Sequence, residues 1–264
     1  MRSVVSAVLH LRYYRILGRF ARIRRLAAAV QGWRDRSPAP LLDSDQLDIL
    51  RQLRLAGVAA LPYLMIEDTR QAIGQFARTQ PSVPPLTEPA GRLLEARCGG
   101  MPVIMDVAAP HDCPQVRTLM EDPWLLDTVR AHLGYTPRRV LARLFWSFVT
   151  DASDAERRAQ GQTIDFHYDI DGCNAVYLFF YIEGGARESG AHVSVLGSHA
   201  AKPLRMVAGG AFQPEARVLR QYGAASVRVL GGGPGSGFFE DPACFHKVLP
   251  PRVADRLCLQ LRYI

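Results

Sequence analysis

Phe166-His167-Tyr168-Asp169, followed by the apolar run Val-Tyr-Leu-Phe-Phe-Tyr at 176–181, determines more about this chain than any other stretch. Alternate residues of a β-strand project from the same face, so His167 and Asp169 project together if the segment is extended. One imidazole and one carboxylate on a single strand can supply two ligands to one metal ion. The segment therefore predicts a β-rich fold that presents a metal site.

A third candidate ligand lies near the C-terminus, in Phe245-His246. Two imidazoles and one carboxylate on one face of an octahedron leave the other positions open, as non-haem Fe(II) sites require. Ten residues further on, Arg256 supplies a fixed cation that can bind a carboxylate through two parallel hydrogen bonds. The four residues together predict a centre that binds iron and a 2-oxo acid.

Other residues compete for two of these roles. His192 and His199 fall within or just after a predicted strand, and we expect them to be structural or to support the ligands from behind. Arg262 lies on the same predicted strand face as Arg256 and is the alternative carboxylate anchor. The histidines outside the β-rich region are interpreted as surface or packing residues, and they are His10, His111 and His132.

The pattern of apolar runs predicts mainly β structure preceded by helices. Short strands separated by Gly and Pro are typical of a sandwich or jelly roll, and the preceding helices would buttress a single β core. The charged stretch 151–162 predicts a strand-free, mobile loop beside the site. The predicted helices are 44–56 (capped by Ser44 or Asp45), 67–78, 114–119 and 123–133. The predicted strands are 58–64, 140–149, 163–168, 175–182, 192–196, 226–230, 237–239, 244–249 and 257–264.

Length and cysteine usage narrow the class of protein. A chain of 264 residues can form one large domain. No apolar run reaches the roughly 18 residues that span a bilayer. Five scattered cysteines without a C-x-x-C pair argue against a disulfide framework or a zinc ribbon, and favour the reducing cytoplasm. They are Cys98, Cys113, Cys173, Cys244 and Cys258.

The basic charge is concentrated in an N-terminal extension, 1–36, which holds nine Arg and one acid, whereas 37–264 forms the predicted catalytic domain. Apolar residues recur there at helical spacing beside an arginine stripe, which indicates an amphipathic basic helix. One interpretation is a helix on the anionic inner face of the cytoplasmic membrane. The other is a helix that packs on its own domain or on a second subunit. The stripe consists of Arg12, Arg15, Arg19 and Arg22.

The quoted segment resembles the phytanoyl-CoA dioxygenase family, as do Gly-Ala-His-Val-Ser-Val-Leu-Gly-Ser-His at 190–199, Phe-His-Lys-Val at 245–248 and Asp-Arg-Leu-Cys-Leu-Gln at 255–260. The resemblance covers about 44–264. It implies a double-stranded β-helix, Fe(II) held by His167, Asp169 and His246, 2-oxoglutarate held by Arg256, and O2 as the second cosubstrate. On position alone it offers Tyr177 as a further cosubstrate contact.

The resemblance implies a hydroxylase, because related halogenases replace the carboxylate ligand with a small residue and Asp169 is present here. The basic extension favours an anionic, membrane-lipid-linked substrate. Within the family, the enzymes that hydroxylate 3-deoxy-manno-octulosonic acid (Kdo) of the lipopolysaccharide inner core fit such an extension. The alternatives are a small natural product or an acyl-CoA as substrate, with the helix in a homo-oligomer interface, or a metal-binding jelly roll without turnover. Nucleic acid is not an expected partner, because no recognised binding motif accompanies the charge.

Overall fold

A computed structural model describes residues 17–87, 92–93, 102–171 and 174–264 of the chain. Arg12 and Arg15 of the predicted stripe, Cys98 and Cys173 lie outside the described residues. The helices are α1 Ala21–Arg34, α2 Ser44–Ala56, α3 Glu67–Thr79, α4 Pro114–Met120, α5 Pro123–Leu133, α6 Asp154–Ala159, α7 Leu204–Ala208 and α8 Glu215–Tyr222. The strands are β1 Val58–Ala60, β2 Ser82–Val83, β3 Leu86–Thr87, β4 Arg92–Leu93, β5 Ile104–Val107, β6 Val140–Ser147, β7 Val176–Glu183, β8 His192–Val195, β9 Val227–Leu230, β10 Gly237–Glu240, β11 His246–Val248 and β12 Arg256–Tyr263.

Two antiparallel sheets form the core. The larger sheet has the order β1-β10-β7-β12-β6-β5-β2 and the smaller has β11-β8-β9, while β3 and β4 pair separately. Between β6 and β12 the chain passes back and forth between the two main sheets, which is the connectivity of a jelly roll. The predicted class, a β core with helices packed against it, is confirmed.

The central strands of the larger sheet are buried on both faces. On β7, Leu178 and Phe180 pack with the helices, whereas Tyr177 and Phe179 belong to a second apolar cluster inside the jelly roll. The adjacent strand β12 divides in the same way, with Leu259 toward the helices and Cys258 toward the interior. Because neither face of β7 meets water, its sequence is continuously apolar from Val176 to Ile182, whereas β12 carries the partly buried polar residues Gln260 and Arg262.

Helix α2 begins and ends at residues suited to those positions. Asp43 caps it, since its carboxylate accepts from the Gln46 backbone while the Gln46 side chain accepts from the Asp43 backbone. The cap therefore lies one or two residues earlier than the predicted Ser44 or Asp45. Gly57 ends the helix with φ of 80°, a left-handed conformation that glycine adopts without strain, and leads directly into β1.

Three predicted elements differ from the structure. Strand β1 stops at Ala60, before Pro62, which has no backbone N–H to donate to a ladder. The predicted strand 163–168 is not a regular strand, and it joins β11 through an isolated bridge between His167 and His246. The predicted loop 151–162 is strand-free but contains α6, because Ser153 and Glu156 form a reciprocal capping box.

The described part of the N-terminal extension contacts the domain. Arg24 of α1 is buried, donates to the carbonyl of His199 at 2.9 Å and lies 3.7 Å from the Asp241 carboxylate. Arg19 donates to the carbonyl of Val207 at 3.0 Å, whereas the Arg22 side chain is exposed. Every helix among the described residues is too short or too polar to cross a membrane.

Candidate metal centre

Backbone hydrogen bonds bring the three predicted ligands to one end of the jelly roll. The amide of His167 donates to the carbonyl of His246 at 2.9 Å, and the amide of His246 donates back at 2.7 Å. The amide of Asp169 donates to the carbonyl of Pro242 at 2.8 Å. Two segments far apart in the chain are thereby held side by side, so the ligand positions do not depend on side-chain packing alone.

The ligand atoms of these residues converge on one point. Nε2 of His167 lies 4.0 Å from Oδ1 of Asp169, and Nε2 of His246 lies 3.7 Å from Oδ2 of the same carboxylate. The centroids of the two imidazole rings are 4.3 Å apart. Two ligand atoms that each lie about 2 Å from a common ion are at most about 4 Å apart, and these atoms lie within that limit. The donor set and its spacing fit a divalent metal such as Fe(II).

Hydrogen bonds set the tautomer of both imidazoles. Nδ1 of His167 lies 3.1 Å from the carbonyl of Asp165, and Nδ1 of His246 lies 3.0 Å from the carbonyl of Cys244. A carbonyl oxygen can only accept, so each Nδ1 carries a proton and each Nε2 has a free lone pair for a metal. Burial lowers the pKa of His246 to about 3, which keeps its ring neutral.

The two histidines and the aspartate differ in exposure. Both imidazole side chains are only 7 % exposed, whereas the Asp169 side chain is 42 % exposed. Phe212 stacks on His167 with ring centroids 5.1 Å apart. Asp169 also lines a small recess together with Arg24 and Asp171. The accessible side of the centre is therefore the carboxylate side.

Arg256 begins β12 and is buried inside the jelly roll, 3 % exposed. Its guanidinium donates to the carbonyl of Gly190 and, at 2.8 Å, to the hydroxyl of Ser147, while the Nε–H has no hydrogen-bond partner among the described residues. Within that part of the chain no carboxylate lies within ion-pair distance of Arg256. A buried cation without a counter-charge is unfavourable unless an anion binds there.

The alternative anchor already has a partner. Arg262 lies 3.4 Å from Asp171, and the same carboxylate accepts a hydrogen bond of 2.6 Å from the Tyr177 hydroxyl. Burial and the nearby carboxylates raise the pKa of Tyr177 well above its ordinary value, so this hydroxyl remains a donor. Tyr177 is opposite Arg262 on β12, six residues or roughly 20 Å along the strand from Arg256. The structure thus places Tyr177 with Asp171, away from Arg256.

Two residues that the sequence did not single out as a pair lie behind His246. Nε2 of His192 is 2.9 Å from the Glu240 carboxylate, which in turn is 4.0 Å from Nδ1 of His246. Burial lowers the pKa of His192 to about 3, and burial raises the pKa of Glu240 to about 7. The signal that could have found Glu240 is its position directly after the apolar Gly-Phe-Phe run at 237–239, which is predicted to be a strand.

His199 lies outside the ligand set. Its Nε2 is 3.3 Å from the carbonyl of Arg54 and its Nδ1 is 3.6 Å from the Cys244 sulfur. These contacts connect the turn after β8 to α2 and to the segment that precedes β11. The expected structural role of His199 agrees with this position.

Several solved structures share this fold, and two of them are described as non-heme alpha-ketoglutarate-dependent enzymes. The chain is similar to the non-heme alpha-ketoglutarate-dependent epimerase SnoN from nogalamycin biosynthesis, with a TM-score of 0.63, 16 % identity and coverage of 83 % of this chain and 82 % of SnoN. It is similar to EctD from S. alaskensis, with a TM-score of 0.56, 14 % identity and coverage of 87 % of this chain and 82 % of EctD. It is also similar to the non-heme alpha-ketoglutarate-dependent carbocyclase SnoK from nogalamycin biosynthesis, with a TM-score of 0.55, 14 % identity and coverage of 86 % of each chain.

SnoN has also been solved with Fe3+ and alpha-ketoglutarate, and EctD with 2-oxoglutarate and 5-hydroxyectoine. No protein-family profile and no curated protein sequence matches this chain. The structural likeness establishes that the chain has the double-stranded β-helix fold of the non-haem iron, 2-oxoglutarate-dependent oxygenases.

Proposed function

We propose that the chain is an Fe(II)- and 2-oxoglutarate-dependent dioxygenase that hydroxylates a C–H bond. The observation that carries the proposal is the pairing of three converging ligand atoms with a buried arginine that has no counter-charge among the described residues. Fe(II), 2-oxoglutarate and O2, when bound, supply oxidative decarboxylation of the 2-oxo acid to succinate coupled to insertion of oxygen into the substrate. The presence of Asp169 favours hydroxylation over halogenation.

The residues of the chain have separate tasks in this proposal. His167, Asp169 and His246 would hold the iron through two imidazoles and one carboxylate, a ligand set that leaves positions for 2-oxoglutarate and O2. Arg256 binds the distal carboxylate of 2-oxoglutarate and so fixes the direction in which the 2-oxo end approaches the metal. The apolar wall formed by Phe179 and its neighbours excludes water from the site.

The test is succinate release from 2-oxoglutarate with added Fe(II) and ascorbate. Turnover by the wild-type chain and its loss in His167→Ala, Asp169→Ala and His246→Ala are the expected results. His111→Ala is the matched control, since that histidine is 66 % exposed and lies outside the jelly roll. A ligand variant with wild-type turnover removes that residue from the triad, and a wild-type chain that binds Fe(II) without any turnover favours the non-catalytic binding module.

The proposed family is that of phytanoyl-CoA dioxygenase, and the proposed substrate is anionic and linked to a membrane lipid, with Kdo of the lipopolysaccharide inner core as the candidate. The support is the basic charge of the 1–36 extension, three of whose arginines lie in 1–16. Each Arg near an anionic surface adds about 1 kcal/mol of attraction. A soluble acyl-CoA would not require such a surface.

Two experiments test the substrate and the membrane separately. Liposome flotation compares the full chain with a chain that lacks residues 1–16, because Arg19 and Arg24 beyond that point contact the domain. Equal flotation of both chains, or none from either at low salt, contradicts membrane binding through 1–16. Loss of a hydroxylated core sugar from the lipid of a deletion strain, seen by mass spectrometry, is the expected result for the Kdo substrate.

A small natural product is the second candidate substrate. SnoN and SnoK come from nogalamycin biosynthesis, and EctD has been solved with 5-hydroxyectoine, which favours a small molecule. In that case the exposed side of α1 would contact a second subunit. Sedimentation at several protein concentrations distinguishes the lipid-linked substrate from the small molecule. A concentration-dependent dimer without liposome binding supports the small molecule.

A further inference from the structure

A buried carboxylate lies directly behind one of the proposed metal ligands. Oε2 of Glu240 is 4.0 Å from Nδ1 of His246, on the side of the ring opposite the Nε2 atom that faces Asp169. The Glu240 side chain is 0 % exposed, and neither of its oxygens has a well-aligned hydrogen bond within the described part of the chain. Burial of a carboxylate without full compensation is unfavourable. Glu240 therefore opposes the stability of the metal-free fold.

His192 holds the carboxylate in place. Its Nε2 is 2.9 Å from Oε2 of Glu240. Its ring stacks on that of His246 with centroids 5.2 Å apart and an angle of 25°, and it also contacts the rings of Phe179 and Phe238 at 5.1 and 5.4 Å. The imidazole is thus confined by three aromatic rings. Glu240 cannot move away from His246 without losing its contact with His192.

We propose that Glu240, held by His192, is a positioning residue that strengthens His246 as an iron ligand and lowers the Fe(III)/Fe(II) potential. The inference rests on the proposed function, because it requires His246 to bind iron. A carboxylate behind the imidazole places negative charge near the metal and favours its higher charge state. Such groups behind a ligand commonly change metal affinity by roughly 10- to 100-fold.

Glu240 acts through space and not as a ligand. Nδ1 of His246 donates to the carbonyl of Cys244 at 3.0 Å, so its lone pair is not available to a second ion between His246 and Glu240. The effect of the carboxylate is then electrostatic, over the 4.0 Å that separates it from Nδ1. An electrostatic effect depends on the charge of residue 240 and persists when a shorter side chain of the same charge replaces it.

The test measures Fe(II) affinity and the Fe(III)/Fe(II) potential at pH 8, where the Glu240 carboxylate is charged, under anaerobic conditions and without turnover. Glu240→Gln removes the charge and keeps the shape, and we expect roughly tenfold weaker Fe(II) binding together with a more positive potential. Glu240→Asp restores the charge and should return part of both values. Glu188→Gln is the matched control, because that carboxylate is 57 % exposed, and it should leave both values unchanged.

The outcomes separate this inference from the function on which it rests. A folded Glu240→Gln chain with wild-type affinity and potential overturns the inference alone. If that variant does not fold, Glu240→Asp and His192→Gln replace it, and wild-type values in both variants likewise overturn the inference. A wild-type chain that binds two Fe(II), one of which Glu240→Gln loses, makes Glu240 a ligand and overturns the positioning role. A wild-type chain that binds no Fe(II) overturns the proposed function and this inference with it.

Discussion

The N-terminal helix and the interior of the jelly roll each contain a buried arginine, and the two arginines differ in what neutralises them. Arg24 on α1 is 7 % exposed and lies beside Asp241, while Arg256 on β12 is 3 % exposed and has no acid beside it within the described part of the chain. The same side chain at the same depth thus serves two purposes. A paired charge fastens one element to another, whereas an unpaired one is suited to bind an anion.

The largest effect is expected from the unpaired arginine. Arg256→Met should raise the KM for 2-oxoglutarate by about 30-fold or more, because truncation of one partner of a buried charge pair costs roughly 2–5 kcal/mol. The Fe(II) dissociation constant should remain close to that of the wild type. Steady-state succinate assays and an anaerobic Fe(II) titration measure the two quantities. An unchanged KM here, with a raised KM in Arg262→Met, would assign the anchor to Arg262.

The paired arginine should affect stability and not the cosubstrate. Arg24→Ala leaves Asp241 buried without its partner, and we expect the free energy of unfolding to fall by about 3 kcal/mol. The KM for 2-oxoglutarate of the remaining folded protein should not change. Urea unfolding of the metal-free chain measures the free energy of unfolding, and succinate assays measure the KM. A raised KM in Arg24→Ala would show that the helix and the cosubstrate site are one unit.

Acid should weaken the interior before it weakens the helix contact. Burial lowers the pKa of His192 and His246 to about 3 and that of His132 to about 4, so these groups stabilise the fold above the unfolded pKa near 6.5, and the contribution is lost as pH falls. Burial raises the pKa of Glu240 to about 7, so protonation of Glu240 stabilises the fold as the pH falls from 7 to 4.5. This gain offsets the loss from one of the three histidines. The metal-free chain should therefore lose about 1.4 kcal/mol or more per pH unit between pH 6 and 5.

The helix contact should survive that range of pH. Although burial raises the pKa of Asp241, the Arg24 guanidinium and two nearby histidines hold that pKa below its ordinary value, so the carboxylate stays ionised between pH 7 and 5. Urea unfolding at pH 7, 6 and 5 of the wild type and Asp241→Asn tests this, because residue 241 of that variant cannot take up a proton. The difference between the two chains should be constant across the series, and a difference that shrinks at pH 5 contradicts it.

The smallest effect is expected from an exposed arginine on the same helix. Arg22→Ala should change the free energy of unfolding by no more than about 0.5 kcal/mol, because its side chain is exposed. Measured beside Arg24→Ala, it is the matched control for loss of one positive charge from α1. A loss as large as that of Arg24→Ala would mean that the charge of the helix, and not the buried contact, stabilises it.

Local patterns in the sequence were enough to predict the class of fold and the residues whose side chains converge at the candidate metal centre. The i, i+2 relation places His167 and Asp169 together in any extended segment, and the helices predicted at 44–56 and 123–133 have the bounds of α2 and α5. Capping and hydrophobic periodicity act within a few residues, so they can be recognised without knowing the rest of the chain.

Only the tertiary structure decided which charges have partners. The contacts of Arg24 with Asp241 and of His192 with Glu240 join residues far apart in the chain, and they depend on how the sheets register and how α1 packs. No spacing in the sequence reveals that Arg262 has Asp171 beside it, whereas Arg256 has no acid beside it among the residues that the structure describes. Burial multiplies the energetic effect of each charge, and burial is a property of the assembled fold.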